Sequence, residues 1–141
     1  MGYFTWKKSL LGMGAPQTMT ATATDVAISH GDLLMFDTDG KVLKATSNVK
    51  PNLVAGVAIS DCEANGTVTY IPISDMDYFE CTATGTIPKV GGMVDLSNSA
   101  GVQSVVISTS NKIARVEKIV DATAKTLWIR FIGLAGNQST T

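Results

Sequence analysis

Gly31-Asp32-Leu33-Leu34-Met35-Phe36-Asp37-Thr38-Asp39-Gly40-Lys41-Val42-Leu43 is the stretch whose reading decides the fold. Four apolar residues run into an acidic turn that ends in glycine, and apolar residues resume at Val42. A run this short is too brief for a helix. An Asp-Gly step between two such runs marks a β-hairpin, because both turn residues tolerate the positive φ that tight hairpin turns need. The same pattern continues outward. Val54–Ile59 reads as a strand, Asn65-Gly66 as a turn, and Thr67–Ile73 as an alternating, β-branched strand. Phe79–Thr84, Met93–Leu96, Val102–Ser108, Ile113–Val120 and Thr126–Ile132 follow. They recur at intervals of about 8 to 15 residues with glycines between most of them, the spacing of a sandwich or barrel. Helix is nearly absent, the candidates being a turn near Leu10 and one near Ala122.

The chain also repeats itself. Residues 31–73 give Gly31, an apolar run, a polar turn, Gly40, Lys41-Val42, then Val54-Ala55-Gly56-Val57-Ala58 and the strand to Ile73. Residues 91–132 give Gly91, Met93-Val94, a polar turn, Gly101-Val102, then Ile113-Ala114-Arg115-Val116-Glu117 and the strand from Thr126. Two such units predict a pseudo-two-fold barrel or paired sheets, and are too few for a solenoid. The fold class expected is all-β: a compact small β-barrel or β-sandwich of pseudo-repeated β units with an extended N-terminal arm. The expected division is an arm over 1–24, a β domain over 25–135 and a flexible tail over 136–141.

Residues 1–24 differ in kind from the rest. Three of the chain's nine large aromatics, Tyr3, Phe4 and Trp6, fall within four positions. Lys7, Lys8, Leu10 and Leu11 follow, then glycines, Pro16 and a tract of alternating Thr and Ala. The segment has too few periodic apolar positions to bury itself, yet it is rich in anchoring side chains. An arm that orders against a neighbour explains both properties, and a first strand of the fold is the alternative. On the arm reading, deleting residues 2–16 leaves a folded body.

Composition narrows the function classes. The 141 residues allow one domain or two very small ones, and 45% are apolar. Only 16% are charged, below the usual quarter. With a mean hydropathy of +0.20, some apolar surface is expected to be covered by a partner. A net charge of -1 gives no electrostatic reason to seek nucleic acid or an anionic membrane. Residues 25–110 hold four Lys against ten acidic groups, whereas Lys112 to Arg130 is net basic. An acidic middle between basic ends suits multi-subunit packing, although asymmetry alone does not decide it. No apolar run reaches the roughly 18 residues of a membrane span, and the glycine-broken Leu10–Met13 stretch is not a signal-peptide core. A reducing cytoplasm with Cys62 and Cys81 as thiols is expected, and the sequence leaves a disulfide between them open.

No catalytic constellation is found, so the chain is expected not to be an enzyme and to need no cofactor or metal. The single His30 has no nucleophile or second ligand beside it. Asp37 and Asp39 resemble the start of a calcium loop but lack its third acidic position and its Glu at position twelve. Asp75 and Asp77 sit in a polar turn with no sign of burial. Cys62 and Cys81 lie at strand ends and read as small apolar residues. Asn65-Gly66-Thr67 and Asn137-Gln138-Ser139 match a glycosylation pattern that matters only after secretion. Lys41, at a hairpin tip, lacks the flanking residues of a biotinyl or lipoyl carrier.

The Gly31–Val42 hairpin, the Val54–Ala58 strand and Glu63-Ala64-Asn65-Gly66-Thr67-Val68-Thr69 together resemble the capsid decoration, or head cement, proteins of tailed phages. A later segment, Gly85-Thr86-Ile87-Pro88-Lys89-Val90-Gly91-Gly92-Met93-Val94, matches the same family pattern, and the likeness spans roughly residues 26–132. The resemblance implies a virion protein made in the host cytoplasm. It would sit on the outer surface of the expanded head, bind the major capsid protein and lock its lattice, often as a homotrimer. Several such proteins use an N-terminal arm to reach the lattice, and the anchoring side chains of the arm read here make Tyr3, Phe4, Trp6, Lys7, Lys8, Leu10 and Leu11 the expected capsid-binding residues. A tail-tube or head-completion protein is the nearest alternative. A ligand-binding β-barrel module is a third reading, from a different class.

Overall fold

The computed structural model describes residues 2–131, so the tail expected over 136–141 lies outside the described residues. The strands are β1 (Thr5–Ser9), β2 (Met19–Thr22), β3 (Leu33–Phe36), β4 (Val42–Lys44), β5 (Val54–Ala58), β6 (Thr67–Pro72), β7 (Asp77–Thr82), β8 (Met93–Ser99), β9 (Val102–Ile107), β10 (Ala114–Asp121) and β11 (Thr126–Arg130). They form a six-stranded sheet, β1-β7-β11-β10-β8-β9, packed on a five-stranded sheet, β2-β6-β5-β3-β4. All strand pairs are antiparallel. The chain is therefore the expected all-β sandwich.

The repeat read from the sequence is a repeat of topology. The order β2-β6-β5-β3-β4 recurs as β7-β11-β10-β8-β9, each strand replaced by the one five places later. Even the irregular contacts recur. Ala23 bridges Val42 and Ala83 bridges Val105, both parallel, so each sheet curls until its first strand's end meets its last-added strand. Gly31 and Gly91 share a positive φ (93° and 86°), as do Asn65 and Lys125 before the final strand of each unit (63° and 59°).

The units do not use their equivalent faces alike. Register aligns Leu33, Val57 and Ile71 across β3, β5 and β6. It aligns Met93, Arg115 and Arg130 across β8, β10 and β11. The first set is fully buried in the large core, whereas the second lies on the outside. Of the two expected arrangements, paired sheets, packed head-to-tail, is the one observed, and no two-fold axis relates the units.

The five-stranded sheet is covered on both sides. Leu34, Ala55, Ala58, Val68 and Tyr70 fill its own curl, while Leu33, Val54, Val57 and Ile71 join the large core against the other sheet. This explains why β5 reads Val-Ala-Gly-Val-Ala without alternation, since every residue of it is buried. A Cβ on Gly56 would lie 2.0 Å from the Ile71 carbonyl oxygen, so only glycine fits there. The polar side chain at the junction is Gln103, 1% exposed. Its Oε1 accepts from the Leu33 N–H at 2.8 Å, and its Nε2 donates to the carbonyls of Leu33 and Ala45 at 3.0 and 3.1 Å.

The Gly40 hairpin is present with a different turn. Gly40 alone has positive φ (79°), and Asp37 N–H donates to the Lys41 carbonyl at 2.9 Å. Asp37 Oδ1 accepts from the N–H groups of Asp39 and Lys41 at 2.9 Å each. The Asp-Thr-Asp-Gly sequence thus caps a four-residue loop with a left-handed glycine.

The separate arm expected over residues 1–24 is corrected. β1 is an edge strand of one sheet and β2 an edge strand of the other. Phe4, 1% exposed, packs in the large core with its ring 6.5 Å from that of Phe131. Burying a phenyl ring contributes about 2 to 3 kcal/mol. That gain, together with the β1–β7 hydrogen bonds, outweighs the entropy of a loose terminus, so the first-strand alternative holds. Deleting residues 2–16 would remove part of the core.

Candidate functional site

The expected capsid-binding residues separate into anchors of the body and exposed groups. Phe4 belongs to the core, which corrects its assignment as a contact residue. Tyr3 is half-buried, with the Lys44 ammonium 4.7 Å from its ring centroid. Trp6 is half-buried too, and its Nε1 donates to Asp77 Oδ1 at 2.9 Å, pinning β1 to β7. A bulge between Trp6 and Lys8 in the β1–β7 pairing leaves Lys7 and Lys8 both exposed. Lys7 Nζ lies 3.9 Å from Glu80 Oε1, and Lys8 Nζ 5.3 Å from the Tyr78 centroid.

Past β1 the chain turns outward into an apolar loop. Leu10, Leu11 (65%) and Met13 are exposed. The Leu10 N–H donates to the Met76 carbonyl at 2.7 Å, which fixes the loop to the turn before β7. Leu11, Met13, Pro16 and Met76 line a shallow cleft of about 90 Å³. Clustered exposed Leu and Met mark a contact surface, and methionine adapts its shape to a partner. Leu10 and Leu11 are thus exposed as expected, and the sequence reading missed Met13 and Met76.

The outer face of the six-stranded sheet adjoins this loop through β1. Tyr78 and Trp128 lie side by side with centroids 5.9 Å apart. Lys8 covers Tyr78, and Lys118 Nζ stands 4.7 Å from the Trp128 centroid. Trp128 Nε1 donates to Glu80 Oε1 at 3.1 Å. Beyond them Glu117 accepts from Arg115 Nε at 2.7 Å, with Arg130 Nε 3.5 Å away. Burial pushes the Glu117 carboxyl up, but the Arg115 hydrogen bond and the two guanidinium charges more than offset this and hold it below its usual range. Trp, Tyr and Arg are the residue types that dominate interface energetics. Alternation in β7 and β11 was the available sequence signal, since it sends Phe79 and Leu127 inward and Tyr78 and Trp128 outward.

The His30 N–H donates to Asp61 Oδ1 at 2.8 Å. Cys62 and Cys81 are buried free thiols in different cores. Among the described residues no three His, Cys, Asp or Glu side chains group into a metal site, and no helix is long and apolar enough to cross a membrane. The arrangement offers shape, apolar contact and aromatic–cation pairs.

No family model matches the chain, and no curated protein matches it. Among solved structures it is similar to the N base of head fiber gp8.5 of bacteriophage phi29. The likeness has a TM-score of 0.52 at 17% identity and covers 82% of this chain and 94% of that one. At that identity the comparison establishes a shared fold.

Proposed function

We propose that this chain is a non-enzymatic structural protein of a tailed-phage head, a decoration protein that binds the exterior of the expanded capsid and stabilises the major capsid protein lattice. The observation that carries the reading is the fold, which over 82% of this chain matches 94% of a base domain from a phage head fiber. The hairpin and strand motifs from Gly31 to Thr69 support the finer assignment to decoration. The exposed Leu10–Met13 loop and the adjoining Tyr78–Trp128 face supply the contact surface. Copies assemble as a homotrimer, so affinity comes from several modest contacts acting together.

The test is co-sedimentation of the purified chain with expanded heads stripped of accessory proteins, titrated to saturation. Saturable binding at a stoichiometry matching lattice sites is expected, with loss on unexpanded shells. The double variant Leu11→Asp/Met13→Asp, at exposed positions, is expected to bind at least about tenfold more weakly, the effect of losing an anchor worth about 2 kcal/mol. Absence of binding at micromolar protein would refute the reading.

A further inference from the structure

The repeat gives the molecule two copies of one turn, and among the described residues only one of them is covered. At the first, the Gly31 N–H donates to the Ala58 carbonyl (2.7 Å), Asp32 N–H to Ser29 (3.0 Å) and Ala58 N–H to Asp32 (2.9 Å). At the second, Gly91 N–H donates to Val116 (2.8 Å), Gly92 N–H to Lys89 (2.9 Å) and Val116 N–H to Gly92 (2.9 Å). The backbone scaffold is the same. The chain's own Gly2-Tyr3-Phe4 lies across the first turn. Phe4 N–H donates to the Gly31 carbonyl at 3.0 Å, Gly31 is buried, and a Cβ on it would lie 1.9 Å from Gly2 Cα. The Tyr3 ring rests under Lys44, itself paired with Asp32 at 3.3 Å.

Nothing among the described residues lies across the second turn. Gly91 is exposed, a Cβ on it would meet no atom within 4 Å, and its carbonyl accepts no such backbone hydrogen bond. The residues that hold Tyr3 are exchanged for an apolar opening. Register puts Ile107, 44% exposed, where the first unit has Lys44, and Gly92 stands in the place of Asp32. The result is a cleft of about 360 Å³ walled by Ile87, Pro88, Met93 and Ile107. Lys89 and Lys112 also line it, and neither has an ion-pair partner among the described residues.

We propose that the cleft beside Gly91 is a binding site for an extended segment of a partner protein, one that carries an aromatic side chain next to acidic residues. The occupied turn at Gly31 is the template. A backbone N–H of the segment bonds the Gly91 carbonyl, the ring fills the space between Met93 and Ile107, and carboxylates meet Lys89 and Lys112. The chain's own N-terminus does not serve, because Phe4 is committed to the core. The inference does not depend on the head-surface reading, since it follows from the repeat and the cleft alone.

The probe is a synthetic peptide, Asp-Gly-Tyr-Phe-Glu, titrated into the isotopically labelled full chain while backbone amide shifts are followed. Saturable shifts centred on Lys89–Met93 and Ile107 are expected, with a Kd below about 1 mM, a modest affinity suited to one ring and one ion pair. Ile107→Asp, at an exposed position, should weaken binding at least tenfold while the remaining amide spectrum stays dispersed. Lys89→Ala with Lys112→Ala should weaken it severalfold and flatten its salt dependence. A peptide with both aromatics replaced by alanine should not bind. Shifts absent at several times that concentration, shifts centred on Trp128 instead, or binding unchanged by Ile107→Asp would each overturn the proposal.

Discussion

Gly31→Ala and Gly91→Ala form a pair in which the repeat supplies its own control. Both glycines hold positive φ in the same turn, so each substitution carries the left-handed strain of an L-residue, about 1 to 2 kcal/mol. For Gly91 that is the whole effect, because its Cβ would point into open space. For Gly31 the new Cβ lands 1.9 Å from Gly2 Cα, against backbone, so the Gly2–Phe4 segment must lift. The Phe4–Gly31 hydrogen bond is then lost, about 1 kcal/mol, along with part of the Phe4 burial, itself about 2 to 3 kcal/mol when complete. Gly31→Ala should therefore cost about 3 to 5 kcal/mol and Gly91→Ala about 1 to 2. Urea unfolding followed by far-UV circular dichroism and tryptophan fluorescence reads the difference, with coincident curves checking two-state behaviour. Phe4→Ala added to Gly31→Ala should cost less than Phe4→Ala alone, since the two act on one contact. Equal losses for the two glycines, to within about 0.5 kcal/mol, the limit of such comparisons, would refute the claim that the N-terminal seat holds the body together. The template for the Gly91 cleft would fall with it.

Gln103→Leu should lose about 2 to 3 kcal/mol by the same assay with an unchanged denaturant slope, because the Leu33 N–H is left buried without its acceptor; a loss under about 0.5 kcal/mol would contradict that role. Asp95, 1% exposed, accepts from Ser108 Oγ (2.8 Å) and from the N–H groups of Thr109, Ser110, Asn111 and Lys112 (3.2, 3.4, 3.2 and 2.7 Å). Burial pushes its carboxyl up, but these bonds prevail and hold it below its usual range. A depressed carboxylate contributes stability that is complete above the unfolded value of about 4 and is lost as pH falls through the folded value. Stability of the chain should therefore fall below about pH 4, and Asp95→Asn should be less stable at pH 7 with a shallower acid decline; parallel pH profiles would refute it. Burial pushes the Cys81 thiol far up, so a thiol reagent at pH 8 should leave Cys81 unmodified in the folded chain and label it in urea. Rapid labelling of Cys81 without denaturant would contradict its place in the core.

Strand positions were legible because their signals are local. Asp37–Gly40, Asn65-Gly66 and the β-branched run from Thr67 each announce a turn or strand within a few residues, and the offset near 60 joined them into units. The seat of residues 3–22 was not legible, because it depends on partners far along the chain. Trp6 is held by Asp77 and Phe4 by Phe131, and neither pairing leaves a trace near residue 4. An aromatic cluster next to lysines looks the same whether it anchors a neighbour or closes its own core. The surface groups were hidden for a related reason. Tyr78, Glu80 and Trp128 become one patch only once β7 and β11 are known to be adjacent, an order set by the crossover and not by spacing.

The head-to-tail packing of two similar units raises a problem that the second unit's outer face resolves. Such a contact is heterologous, and repeated units joined that way extend without limit unless the final face refuses another copy. The face that the five-stranded sheet buries carries Leu33, Val57 and Ile71, while its counterpart carries Met93, Arg115 and Arg130. Arg115 and Arg130 stand directly opposite each other on neighbouring strands, which is unfavourable for like charges. A bulge at Glu117 brings a carboxylate to within 2.7 and 3.5 Å of the two guanidinium groups. Covering this triad with an apolar sheet would strip water from three charges, a cost that mutual attraction repays only with ideal geometry. The triad thus disfavours another copy of the unit stacking on this face.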